Sequence, residues 1–246
     1  MIQSQAETQC SKCGEKKVID IYKSINVAEN PDLKKKVADG SLFLWECPHC
    51  GTVNLAAYDT LYHDPEKKVM IWLDLKNQIS EAQMHAISNH AKAMGGYTLR
   101  LVSSVGELIE KQRIFEDGLD DLAIELCKWV TKQEMSSQNG SAGSAVTGSE
   151  SVDGTSVSDA NAATGTDERK VQDNSAQRLH YHSTEGDGEN RAICFSVADK
   201  GNMMQLKIGW NVYEDACGIL ERNPSVRPSE GFARINADYI GSILIH

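Results

Sequence analysis

No stretch of this sequence is both long and apolar enough to cross a bilayer. Apolar runs such as Val69-Met70-Ile71-Trp72-Leu73 and Ile243-Leu244-Ile245 fall far short of the roughly 20 residues that a spanning helix needs. The start, Met1-Ile2-Gln3-Ser4-Gln5-Ala6-Glu7, has no basic segment followed by an apolar one, so no secretory leader is expected. Positive charge is in deficit: 25 Lys and Arg face 35 Asp and Glu, for a net charge of −10 and a pI near 5.2. Such a chain repels phosphate backbones unless a local basic patch overrides the total. A disulfide framework is also missing, because the seven cysteines are odd in number and no leader sends them to an oxidising compartment. Finally, no nucleophile stands beside a base and no acid–base pair converges, so catalysis is disfavoured. The expectation is a soluble cytoplasmic protein.

What is present suffices for folding. Hydrophobic residues make up 40% of the chain and charged residues 24%, which permits a globular core. Three zones divide the chain. Residues 1–134 read as a folded metal-binding domain, and residues 188–246 as a small C-terminal α+β module rich in β-structure. Between them, residues 135–187 carry Ser, Gly, Asp, Asn and Thr with few large apolar side chains. That composition reads as a disordered acidic linker. Sixty residues are few for an independent core, so the last zone is expected to pack on the first. The fold class is α+β.

Within the first zone, Lys17–Asn26 reads as a strand, and Asn30-Pro31-Asp32 opens a short helix closed by Gly40. Leu42–Glu46 and Thr52–Tyr58 form the arms of a hairpin. Asp64-Pro65-Glu66 marks a turn and Lys68–Leu73 a buried strand. Ser80 and Gln83 have capping-box spacing, ahead of Met84, Ile87, Ala91 and Met94 on one helical face. That methionine stripe reads as core. Tyr97–Val102 alternates as a strand. Ser104 and Glu107 open a helix over Val105–Phe115, and Leu119, Leu122 and Leu126 continue a second apolar face after a break at Asp117-Gly118. In the last zone Ile193, Phe195 and Val197 pair across a turn with Met204, Leu206 and Ile208. Val212–Glu221 reads as a helix and Phe232–Ile235 as a strand.

The strongest signal is a pair of motifs, Cys10-Ser11-Lys12-Cys13-Gly14 and Cys47-Pro48-His49-Cys50-Gly51. Two residues between thiolates let both sulfurs of one tight turn point at a common ion. Gly14 and Gly51 follow where a positive φ is readily adopted. Two such turns supply Cys10, Cys13, Cys47 and Cys50, a tetrahedral shell with no open position, which is structural in character. Sulfur ligands in a tetrahedron suit zinc first and iron as the alternative, since the knuckle pair resembles that of rubredoxins. The fold expected around them is a zinc-ribbon-like knuckle pair embedded in a small α/β domain.

These cysteines, with Gly40–Gly51, Tyr62-His63-Asp64, Leu99-Arg100-Leu101-Val102, Glu107-Leu108, Glu110-Lys111 and Asp117-Gly118-Leu119-Asp120-Asp121, resemble the CpXC domain family of bacteria and archaea. The likeness covers most of residues 1–134. It implies a metal-binding domain of uncharacterised function, with no activity or substrate. Ser11 stands where the second pair has Pro48, but all four sulfurs remain.

Other groups read as structural. His49 points away from the metal. His85 and His90 are five apart, not the four of a helical ligand pair. His180-Tyr181-His182 reads as a chance tract and Tyr62-His63-Asp64 as a turn. Glu116, Asp117, Asp120 and Asp121 lack a calcium-loop pattern and read as a capped helix break. Lys34-Lys35-Lys36 is the best contact for nucleic acid, were one bound. The leading functional expectation is a structural-zinc module that binds a protein partner. The alternatives are a nucleic-acid-binding zinc ribbon, and an enzyme with a site between the two folded zones.

Overall fold

The computed structural model describes residues 2–139, 178–199 and 202–244. The first strand, β1 (Ile2–Gln9), pairs antiparallel with β2 (Lys16–Asn26), and the first cysteine knuckle is their connecting turn. Helix α1 (Pro31–Ala38) follows, with Pro31 in its first turn. Asn30 makes no side-chain cap bond. A short hairpin, β3 (Leu44–Glu46) and β4 (Val53–Leu55), carries the second knuckle at its tip. Strands β5 (Thr60–Asp64) and β6 (Val69–Leu73), helix α2 (Glu81–Ala93) and strand β7 (Thr98–Val102) complete a sheet of order β1-β2-β5-β6-β7. The β2–β5 and β6–β7 pairs are parallel.

The unbroken apolar run of β6 is explained by cover on both faces. Val69, Ile71 and Leu73 face α1 and α3 (Val105–Glu116), where Leu33, Val37 and Leu108 close a core with Ile25, Phe43 and Tyr62. Met70 faces the other way and packs with Leu99 and Ala91 of α2. The α2 stripe is only partly core: Ala91 is buried, Met84 and Ile87 are half-buried and Met94 is exposed. Ser80 and Gln83 form the reciprocal capping box. Ser104 accepts from the backbone N–H of Glu107, but the Glu107 carboxylate turns to the N–H and hydroxyl of Ser103.

Helix α4 (Asp121–Asn139) leads out of the first zone. Strands β8 (Leu179–Glu185), β9 (Ala192–Asp199) and β10 (Asn202–Gly209) form an antiparallel sheet of order β10-β9-β8. Its hairpin register is the expected one, with Val197, Phe195 and Ile193 opposite Met204, Leu206 and Ile208. Helices α5 (Trp210–Arg222) and α6 (Ala237–Leu244) follow.

Three expectations change. Residues 135–187 are not linker throughout: α4 runs to Asn139, and β8 forms because Leu179 and Tyr181 are buried in a core. Residues 140–177 of that segment lie outside the described residues. Phe232–Ile235 is not a strand but a single parallel bridge, Ala233 against Arg100, with its N–H on the Leu99 carbonyl. Tyr62 and His63 belong to strand β5, and only Asp64 shapes the turn, accepting from the N–H groups of Glu66 and Lys67.

The last zone shares one core with the first. Ile114, Leu122 and Ile124 pack in the same cluster as Tyr181, Ile193, Phe195, Leu220 and Ile240. A buried set of charges lies beside it. Arg100 makes two 2.8 Å bonds to Asp121, which Lys111 also meets at 3.0 Å. Lys128 pairs with Glu125 at 3.0 Å and with Glu110. Glu110 accepts from the Tyr181 N–H at 2.6 Å and sits 3.3 Å from His180 Nδ1. Three cations therefore match three carboxylates, and β8 is anchored on α3 through Glu110.

Candidate metal centre

Both knuckles fold by the same local logic. In the first, Cys10 N–H donates to the Glu15 carbonyl at 2.8 Å and Gly14 N–H to the Cys10 carbonyl at 3.0 Å. In the second, Cys47 N–H donates to Thr52 and Gly51 N–H to Cys47, both at 2.9 Å. Gly14 and Gly51 adopt φ of 74° and 69°, in the left-handed region that costs an L-residue roughly 1–2 kcal/mol. Each turn thereby aims two sulfurs from one hairpin tip.

The two tips face each other. The four sulfurs lie within 4.8 Å of one another and could hold a metal ion. Across the knuckles, Cys10 Sγ is 3.7 Å from Cys50 Sγ, and Cys13 Sγ is 3.5 Å from Cys47 Sγ. A tetrahedron with zinc–sulfur bonds of about 2.3 Å has edges of about 3.8 Å, which these two cross-knuckle separations approach. Cys10 and Cys47 are buried against Trp45, with Ile19 and Ala56 beside them, whereas Cys13 is exposed. Lys17 lies over the Trp45 ring, 5.8 Å from its centroid.

Local hydrogen bonds favour the thiolate at Cys10 and Cys50. The Cys13 backbone N–H holds the Cys10 thiol down at about 6, against the effect of burial. Hydrogen bonds from Thr52, side chain and backbone, lower Cys50. At Cys13 the Glu15 N–H favours the thiolate, but local desolvation by neighbouring atoms and the sulfurs of Cys47, Cys50 and Cys10 outweigh it and push the group up to about 12. Four thiolates this close repel one another unless a positive ion sits among them.

Asn54 was not singled out by its sequence context. Buried on β4, it accepts at Oδ1 from the Ser11 N–H and hydroxyl, both at 2.9 Å. Its Nδ2 donates to the Thr52 carbonyl at 2.8 Å and lies 3.6 Å from Cys10 Sγ. A lone polar residue in a strand carries no periodic or motif signal, so only the folded hairpins reveal it.

The remaining candidates disperse. His49 is exposed on the second knuckle. Of the Lys34-Lys35-Lys36 run, Lys34 pairs with Asp64 at 3.1 Å and Glu116 at 2.6 Å, whereas Lys35 and Lys36 are exposed. The acid cluster has four separate partners: Glu116 meets Lys34, Asp117 accepts from the Tyr181 hydroxyl, Asp121 is buried on Arg100, and Asp120 caps α4 and pairs with Arg227 at 2.7 Å. His180 belongs to the Glu110 contact. Among the described residues, no other group of three or more His, Cys, Asp or Glu side chains is close enough to hold a metal, and no helix is long and apolar enough to cross a membrane.

Comparison with known proteins adds one match: the family model described as CpXC protein covers residues 8–128, a span that contains both knuckles and ends within α4. No curated protein and no solved structure matches the chain.

Proposed function

The chain belongs to the CpXC family through residues 8–128, and from that premise we propose that Cys10, Cys13, Cys47 and Cys50 bind one zinc ion that shapes a protein-docking surface. The observation that carries this reading is the set of sulfurs at tetrahedral separations on two facing hairpin tips. Two hairpins joined through one ion make the unit a zinc ribbon, built into the N-terminal domain of residues 1–134. When bound, the ion supplies a structural crosslink. All four positions are thiolate, so none is left for a reacting water.

The magnitude is sufficient. Structural zinc sites supply about 10–16 kcal/mol in small peptides, comparable with the whole stability of a domain at about 5–15 kcal/mol. The apolar cluster under the knuckles is small, with only Trp45, Cys10 and Cys47 buried, so the ion dominates the local balance. A reducing cytoplasm would keep the thiolates available.

A protein partner is favoured by what the ribbon exposes. Leu44 and Leu55 are a cross-strand pair on the outer face of β3 and β4, and Leu55 and Val53 are both more than half exposed. The groups available to the other readings are partly engaged: of the Lys34-Lys35-Lys36 run, Lys34 is held by two carboxylates while Lys35 and Lys36 are exposed, and the charges between the zones neutralise one another. Capture with zinc-loaded protein tests the reading, with Val53→Lys/Leu55→Lys as control. The expected result is a protein partner retained by the wild type and lost by the double variant. A captured, turned-over metabolite in place of a protein would overturn it.

A further inference from the structure

The two knuckles are alike in backbone and unlike in what supports their sulfurs. Seven residues after the first cysteine of the second knuckle stands Asn54; seven after that of the first stands Lys17. Lys17 turns to the Trp45 ring and the Glu46 carbonyl. Asn54 instead crosses between the hairpins, and both ends of its amide are used. Its oxygen takes two donors from Ser11, inside the first knuckle, and its nitrogen reaches Thr52 and the Cys10 sulfur. No other side chain of the second hairpin hydrogen-bonds the Cys10–Cys13 backbone among the described residues.

Resting on the zinc reading above, we propose that Asn54 is the positioning residue of this site. It holds the first knuckle in place against the second before the ion arrives, and its N–H moderates the charge on the Cys10 thiolate afterwards. Outer partners of metal ligands that fix orientation contribute tenfold to a hundredfold in affinity when they are lost. Asn54→Asp keeps the size and the acceptor toward Ser11, but replaces the donor shared by the Thr52 carbonyl and the Cys10 sulfur with a carboxylate oxygen. Asn54→Ala removes both.

The test titrates the full chain with zinc against a chromophoric chelator, and separately with cobalt, following the sulfur-to-cobalt charge-transfer absorption. Asn54→Asp is expected to weaken zinc binding about tenfold to a hundredfold and to shift the cobalt band. Ile71→Val, a core change remote from the knuckles, should leave affinity and band at their wild-type values. If Asn54→Asp does not fold, Asn54→Ala is read by the same titrations and should lose at least as much affinity. Wild-type affinity and an unmoved band in the folded Asn54 variant would overturn the inference and leave the zinc reading standing. Failure of the wild type to take up either ion would overturn both.

Discussion

Glu110 has little solvent around it and three partners in its place. Burial alone would raise its pKa, but the Lys128 ammonium and His180 hold it down at about 2. A carboxylate depressed in the folded state contributes stability that is complete above its unfolded value, near 4.5, and is lost as the pH falls toward 2. Asp121 is lowered in the same direction, with Lys111 and Arg100 overcoming its burial. Denaturant titrations from pH 6 down to pH 2 should therefore show falling stability, with a shallower fall for Glu110→Gln. A Glu110→Gln profile parallel to the wild type would refute that role. Lys128→Met leaves Glu110 and Glu125 without their shared cation, and should cost about 3–5 kcal/mol at neutral pH. This network was illegible in the sequence. Arg100 lies on β7, Glu110 and Lys111 on α3, and Asp121, Glu125 and Lys128 on α4, and a charge read alone suggests a solvated face.

The elements explain where pattern reading succeeds. Strands with one dry face alternate, which is why β9 and β10 could be paired residue by residue from Ile193, Phe195, Val197, Met204, Leu206 and Ile208. By contrast β1, with sequence IQSQAETQ, is an edge strand with no buried residue and only Ser4, Ala6 and Thr8 half-buried on its inner face, so no alternation of large apolar residues marks it. Its partner and the knuckle at its end define it. Phe232–Ile235 misled in the opposite sense, since its apolar residues fill a core without extending a ladder. Knuckle glycines were legible because the turn demands them. Gly51→Ala should therefore destabilise by roughly 1–2 kcal/mol. Gly106→Ala, in the first turn of α3 where an added Cβ would meet only the Ser104 hydroxyl in ordinary contact at 3.9 Å, should stabilise by about 0.4–1 kcal/mol. Thermal unfolding of the two variants beside the wild type checks both signs.

At the scale of the whole molecule, the unit of stability is larger than the segment that matches the family. Residues 8–128 contain the metal centre, yet α4 packs its apolar face into a core with β8, β9, α5 and α6. A chain ended after residue 139 would present Leu122, Ile124 and their neighbours to water, a contiguous patch of the kind that drives association. Such a truncation should bind a hydrophobic dye strongly and lose cooperative unfolding. A monomeric, cooperatively folding truncation would show that residues up to 139 form an independent unit. The composition of the Ser- and Gly-rich segment pointed to zones on either side of it. Where they join was hidden, because the joining residues Ile114, Tyr181 and Phe195 are far apart in the chain.

The account turns on the four sulfurs of Cys10, Cys13, Cys47 and Cys50. Elemental analysis with an absorbance spectrum, on full-length protein purified without chelators, tests it most directly. The expected result is one zinc per chain and no visible absorption band, with Cys47→Ser losing the metal and the folded ribbon together. A red protein carrying one iron per chain, or a fully folded wild type with no metal, would contradict it.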